Sequence, residues 1–161
     1  RSDLLRQAAE AMDVALAASW NGRDSGLPMK TPDELLTLAS IVEKETGKAE
    51  ERPRISGVFV RRLQKGIRLE TDPTVIYGIG EGYDGNIRKK DLQTVTPYNT
   101  YRMHGLPPTP IAMPGRAALE AAAHPAPGES LFFVATGDGG HVFSATYEQH
   151  RKAVKTYQLK P

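Results

Sequence analysis

The 161-residue sequence predicts an α+β fold: a mainly helical single domain with one β-hairpin, a few short strands, and a long proline-rich loop across the face that carries the site. Three observations lead there. Two apolar-periodic runs open on a cap-plus-proline signal, at Thr31-Pro32 and Asp72-Pro73. Twenty residues from Thr96 to Gly115 hold five prolines, and the stretch from Leu131 to Ser144 reads as strand, glycine turn, strand. A chain of this length buries roughly 70% of its unfolded surface, enough for one core without staples.

The elements follow in order. Leu5, Ala8, Met12, Leu16 and Trp20 recur at spacings of three and four, which predicts a first helix over 4–20 with one buried stripe. Asn21-Gly22 ends it, and the segment to Met29 is a linker, so residues 1–30 form a helix and linker joined to a main unit over 31–161. Thr31-Pro32-Asp33-Glu34 joins an N-cap, a first-turn proline and a glutamate three residues after the cap. That helix is expected to reach about Thr46, stopped by Gly47. A third helix over 51–64 buries Ile55, Phe59 and Leu63 and stops at Gly66.

Residues 67–71 read as extended, and Asp72 as the N-cap of a short helix through Tyr77. Prolines 97, 107, 108, 110 and 114 nearly exclude regular structure over 96–115, while Tyr98 and Tyr101 argue for an ordered loop. An Ala-rich helix over 115–123 closes at His124-Pro125. Leu131 to Ala135 and His141 to Ser144 pair across Gly137-Asp138-Gly139-Gly140, and a last helix over 145–157 takes Ser144 as its cap.

Several function classes drop out. There is no cysteine, which removes disulfides, thiolate zinc sites, iron–sulfur clusters and a cysteine nucleophile. The four histidines show no i,i+4 pair, so no metal site is indicated, and no GxSxG elbow occurs. A net charge of +2 with 25% charged residues advertises no polyanion surface. Nucleic-acid binding through Arg61, Arg62, Lys65 and Arg68 is therefore weak, and these four read as a solvated helix face. No apolar stretch approaches the roughly 20 residues of a membrane span. The start at Arg1, without an initiator methionine, suggests a piece of a longer protein whose targeting segment was removed.

Carboxylates remain as the carriers of chemistry. In the helix that begins at Thr31, Leu35, Leu36, Leu38, Ala39, Ile41 and Val42 face one way, with Glu43 and Glu45 flanking that face on opposite sides and Lys44 pointing away. Partial burial and the negative end of the helix both raise a carboxyl pKa there, toward general-acid use. Periodicity does not choose between the two, and solvated boundary residues are the bland alternative. Glu70-Thr71-Asp72-Pro73 has a helix-start explanation and also offers N–H groups to a polar ligand. Tyr98-Asn99-Thr100-Tyr101 combines aromatic faces with amide and hydroxyl groups, suited either to a sugar groove or to loop packing.

The run Leu38-Ala39-Ser40-Ile41-Val42-Glu43-Lys44-Glu45-Thr46 resembles the signature of the endolytic murein transglycosylases, the MltG or YceG-like family. So does the run from Arg68 through Gly78, and the likeness continues at Tyr98 to Tyr101, Gly105 to Pro108, Pro110-Ile111, Pro114-Gly115, Ala122 to Pro125 and Gly139-Gly140-His141. It spans nearly everything from Thr31 on. The resemblance implies a lyase that cuts the β-1,4 bond between N-acetylmuramic acid and N-acetylglucosamine in peptidoglycan strands and leaves 1,6-anhydro ends. It implies that the first glutamate of the Glu-Lys-Glu run, Glu43, is the acid/base.

By position and type within these motifs, Glu70, Thr71, Asp72, Tyr77, Tyr98, Asn99, Thr100, Tyr101 and His141 are assigned to substrate binding. This chain carries Glu70 where similar proteins often have Gln. One carboxyl suffices for such a reaction, because the substrate's own C6 hydroxyl replaces water as the nucleophile, and no metal or organic cofactor is called for. The resemblance further implies glycan-polymerising penicillin-binding proteins as partners. It places the site on the periplasmic face of the inner membrane, through an N-terminal anchor and a LysM-like module outside this sequence. An ordinary hydrolase of the same glycan, with Asp72 or Glu70 assisting a water, and a non-catalytic glycan-binding module are the rival readings.

Overall fold

The computed structural model describes residues 1–159, so the last two residues of the expected 31–161 unit lie outside the described residues. The element order is α1 (Ser2–Asn21), α2 (Pro32–Glu45), α3 (Arg52–Lys65), α4 (Asp72–Ile79), α5 (Lys89–Gln93), α6 (Arg116–Ala123), β1 (Phe132–Ala135), β2 (His141–Ser144) and α7 (Tyr147–Tyr157). Short 3-10 turns lie at Ala49–Glu51 and Gly80–Gly82. The expected α+β class holds: a mostly helical chain with one two-stranded antiparallel sheet.

Helix α2 is the centre. Its Leu35, Leu38, Ala39, Ile41 and Val42 are all fully buried, and each of the larger ones contributes about 1.5–3 kcal/mol by leaving water. The Ala-rich face of α6, Ala118 and Ala121 to Ala123, lets that helix lie close against it, and Ile55 and Phe59 of α3 close another side.

The start of α2 is the one expected: Thr31 Oγ1 accepts from the Glu34 N–H at 3.2 Å. The Glu34 carboxylate reaches one residue further back than a standard capping box, to the Lys30 N–H at 2.6 Å. Replacing Thr31 by Ala is expected to cost about 1 kcal/mol in urea denaturation. Turnover of the folded variant should not change, because the cap lies roughly 20 Å along the helix axis from its last residue, Glu45. Wild-type stability would overturn this account of the cap.

Helix α3 ends where Gly66 takes the left-handed conformation, φ 68°, ψ 22°, as a C-terminal glycine does.

Four expectations are corrected. In α1 only the second half is inward: Leu16 is 8% exposed but Leu5 is 73% exposed, and the α1 residues that join the core are Met12, Ala15, Leu16 and Trp20. Residues 67–71 form no strand; Glu70 N–H donates to the Thr100 carbonyl and Thr71 N–H to the Thr100 hydroxyl. A single pairing with a proline-rich loop cannot make a ladder. Thr71, not Asp72, is the N-cap residue of α4, and Asp72 is its first helical residue. At α7 the cap is Thr146, in a capping box with Gln149, and not Ser144, which is the last residue of β2.

The hairpin pairs Phe132 with Ser144, Phe133 with Phe143, Val134 with Val142 and Ala135 with His141. The proline-rich loop runs along α2. The Ile111 N–H donates to Ser40 Oγ at 3.0 Å and the Gly115 N–H to Glu43 Oε2 at 2.9 Å, so the loop is tied to the helix at two points.

Candidate active site

The end of α2, the turn into α4, Tyr101, the hairpin and α7 enclose a cleft of about 400 Å³, within the range of small-ligand sites. Glu45, the last residue of α2, lies in its wall. Its Oε2 accepts the Thr71 hydroxyl at 2.9 Å, which fixes the carboxyl plane. Burial pushes the Glu45 pKa up from an ordinary 4.5 to about 7, against the lowering effect of the Thr71 bond and with a further push from the Asp72 charge.

Thr71 is itself fixed from behind. Thr71, Thr74 and Thr100 are almost fully buried; the Thr74 and Thr100 hydroxyls bond each other and the Thr71 carbonyl, and the Thr71 N–H donates to the Thr100 hydroxyl. Asn99 is 1% exposed, and its side-chain NH₂ donates to the carbonyls of Asp91, Leu92 and Thr94 while its Oδ1 accepts from the Tyr101 N–H. Asn99 and Thr100 therefore build the wall and do not reach the cleft.

Asp72 Oδ1 accepts the Tyr101 hydroxyl at 2.6 Å. Burial, that bond and the nearby carboxylates of Asp72, Glu45 and Glu70 raise the Tyr101 pKa, so the phenol stays protonated. Glu70 stands in the left-handed region at φ 53°, the one such non-glycine residue among those described, with its carboxylate 3.8 Å from Arg62. Strain of this kind collects at functional sites.

The expectation at Glu43 is not supported by the arrangement. Glu43 is absent from the cleft wall; its Oε2 holds the Gly115 N–H and its Oε1 lies 3.9 Å from the Arg52 guanidinium, so it ties α2 to the start of α6. The two glutamates flank the apolar face on opposite sides, and only the Glu45 side meets the cleft. Of the other residues expected to bind substrate, Glu70, Asp72, Tyr101 and His141 do line it. Tyr77 and Tyr98 do not: they stack on each other with ring centroids 4.9 Å apart, and the Tyr98 hydroxyl pairs with Thr109.

Other lining residues were missed. Phe132, Tyr147 and His150 form an aromatic wall, Phe132 and His150 stacked with ring centroids 5.0 Å apart. Burial, with the Arg62 charge beside it, lowers the His150 pKa, so its ring is a neutral plate. The phase of the hairpin, with Phe132 and Phe133 adjacent in sequence and so on opposite faces, is the signal that was available. Arg62, read as part of a solvated face, is 6% exposed and donates to the carbonyls of Leu131 at 2.6 Å and Arg68 at 2.7 Å. Arg61 likewise turns to the carbonyls of Ser130 and Ala126. Among the described residues no group of three or more His, Asp or Glu side chains is placed to hold a metal ion.

A carboxyl with a raised pKa in an open cleft with hydroxyl, carboxylate and aromatic walls has the chemistry to exchange a proton beside a polar ligand. Residues 1–156 match the model of the YceG-like family, and the chain belongs to that family. It is 44% identical over 124 residues to the endolytic murein transglycosylase of Bacillus subtilis, a match covering 77% of this chain and 34% of that protein. To the endolytic murein transglycosylase of Streptococcus pneumoniae it is 35% identical, over 74% of this chain and 22% of the relative. The match thus spans 34% and 22% of the length of these two relatives. A crystal structure of a yceG-like protein from Listeria monocytogenes superposes with a TM-score of 0.71 at 44% identity, over 75% of this chain and 39% of that one.

Proposed function

We propose that this chain is the catalytic part of an endolytic lytic transglycosylase of peptidoglycan, with Glu45 as its single general acid and base. The observation that carries the reading is the Glu45 carboxyl, held by Thr71 in the cleft and raised to about 7, so that near neutrality it has a proton to give. Glu45 protonates the glycosidic oxygen as the bond from C1 of the muramic acid breaks. The carboxylate so formed then accepts the proton of the C6 hydroxyl as O6 bonds to C1. The proton given in the first step is regained in the second, and no water is consumed.

The other carboxylates of the cleft are engaged, Asp72 by the Tyr101 hydroxyl and Glu70 beside Arg62. This favours the single-acid reading over a two-carboxylate hydrolase. Glu70, Asp72, Tyr101 and His141 supply polar contacts to the sugar, and Phe132, Tyr147 and His150 supply the apolar wall beside it. The site of action is then the cell envelope, on the outer face of the inner membrane, beside the penicillin-binding polymerases that make the strands. Among the described residues no helix is long and apolar enough to cross a membrane.

Mass analysis of products from purified, uncrosslinked glycan strands tests the reaction. Anhydro-ended fragments with no added water are expected. Hydrated ends would assign a hydrolase, and tight binding without new ends a binding module.

A further inference from the structure

We propose that Glu51 is a positioning residue that turns His141 so that its Nε2 faces the cleft as a hydrogen-bond acceptor for a sugar N–H or hydroxyl. The inference rests on reading the cleft as a glycan site.

Glu51 closes the 3-10 turn after α2, and His141 opens β2, 90 residues on. One carboxylate grips that residue twice: Oε1 accepts the His141 backbone N–H at 3.0 Å and Oε2 meets Nδ1 at 2.7 Å. Both side chains are largely buried, His141 at 9% and Glu51 at 14% exposure. Thr46, next to Glu45, reaches the same Oε2 at 3.5 Å, so Glu51 also registers the hairpin against the end of the helix that bears the acid. Burial, the largest single influence, would raise the Glu51 pKa, but the two bonds from His141 together with the nearby His141 and Lys48 charges hold the carboxyl below its usual range.

Facing an ionised carboxylate, Nδ1 carries the hydrogen, and in that tautomer the ring presents a lone pair at Nε2. Among the described residues Nε2 makes no hydrogen bond, nor is it sealed from solvent, while the ring itself lines the cleft with Glu45. Phe133 stands edge-on to the ring at 5.4 Å and fixes its rotation. The glycine before His141 serves the same contact. A Cβ at Gly140 would come within 3.3 Å of Glu51 Oε1 and 2.9 Å of Lys48 Nζ, so a side chain there would press on the carboxylate.

The test joins nitrogen NMR of His141 with turnover of uncrosslinked glycan strands. In the wild type the neutral ring should be the Nδ1-protonated tautomer, and Glu51→Ala should shift it toward the Nε2-protonated form. Glu51→Ala and His141→Ala should each lower kcat/KM at least tenfold, and the double variant should be no worse than His141→Ala alone. Additive losses would make Glu51 a merely structural residue and overturn the proposal, as would an unchanged tautomer or wild-type turnover by His141→Ala. If Glu51→Ala does not fold, Glu51→Gln, which keeps one acceptor, reads the same tautomer shift and the same coupling. Failure of the underlying reading is separate: it appears as full activity in Glu45→Gln, whereas the tautomer reports on the Glu51–His141 pair alone.

Discussion

Glu45→Gln should reduce the formation of anhydro ends by about 10²- to 10⁴-fold, the contribution of general acid–base catalysis, while Glu43→Gln keeps most of the wild-type rate. Glutamine preserves the size and the acceptor for the Thr71 hydroxyl but carries no exchangeable acid proton. Glu43 accepts the Gly115 N–H, which an amide oxygen also does, and loses in Gln only the 3.9 Å ion pair with Arg52. The wild-type rate should fall as pH rises through about 7, where the acid form of Glu45 is lost.

Stability should follow the same ionisation. The folded-state pKa of Glu45 is raised, so its contribution is fully present below the ordinary value of 4.5 and is lost as pH rises through about 7. Melting curves should therefore show Glu45→Gln more stable than the wild type at pH 8, with the difference shrinking toward pH 5. A dead Glu43→Gln variant beside an active Glu45→Gln would return the acid to Glu43.

The largest effect on stability is expected at Arg62. Arg62→Met keeps the apolar stem but leaves the Leu131 and Arg68 carbonyls without their donor, and it removes the cation 5.0 Å from the Phe132 ring. An acceptor orphaned away from water costs about 1–3 kcal/mol, and both carbonyls are part-buried, so a loss of about 2 kcal/mol or more is expected in urea denaturation. Glu70, deprived of its counter-charge, should lose its fixed place in the cleft as well. A loss under about 1 kcal/mol would mean that water replaces the guanidinium at both carbonyls.

Local chemistry was enough to read much of the framework. The Thr31-Pro32 start of α2, the Gly66 stop of α3, the proline-rich loop and the glycine-turned hairpin were all legible, because caps, fixed φ angles and hydrogen-bond deficits act within a few residues. The Glu-Lys-Glu run could likewise be placed at the end of an amphipathic helix, with a glutamate on each border of its apolar face. Which border faces the cleft was not local information. It is decided by Thr71, 26 residues beyond Glu45, and by Gly115, 72 residues beyond Glu43, each of which takes one carboxylate.

The same holds for Asn99 and Thr100, whose amide and hydroxyl look like sugar ligands in sequence but spend their hydrogen bonds on backbone and threonine partners inside the wall. Arg61 and Arg62 carry the composition of a solvated face, yet they turn inward because the chain ahead of β1 brings them carbonyls that lack other donors. A periodic pattern gives the direction of a side chain about its own helix axis. Only the packed elements supply the partner that makes one direction a strut and the other a buried acid, because burial and hydrogen bonding are set by atoms distant in sequence.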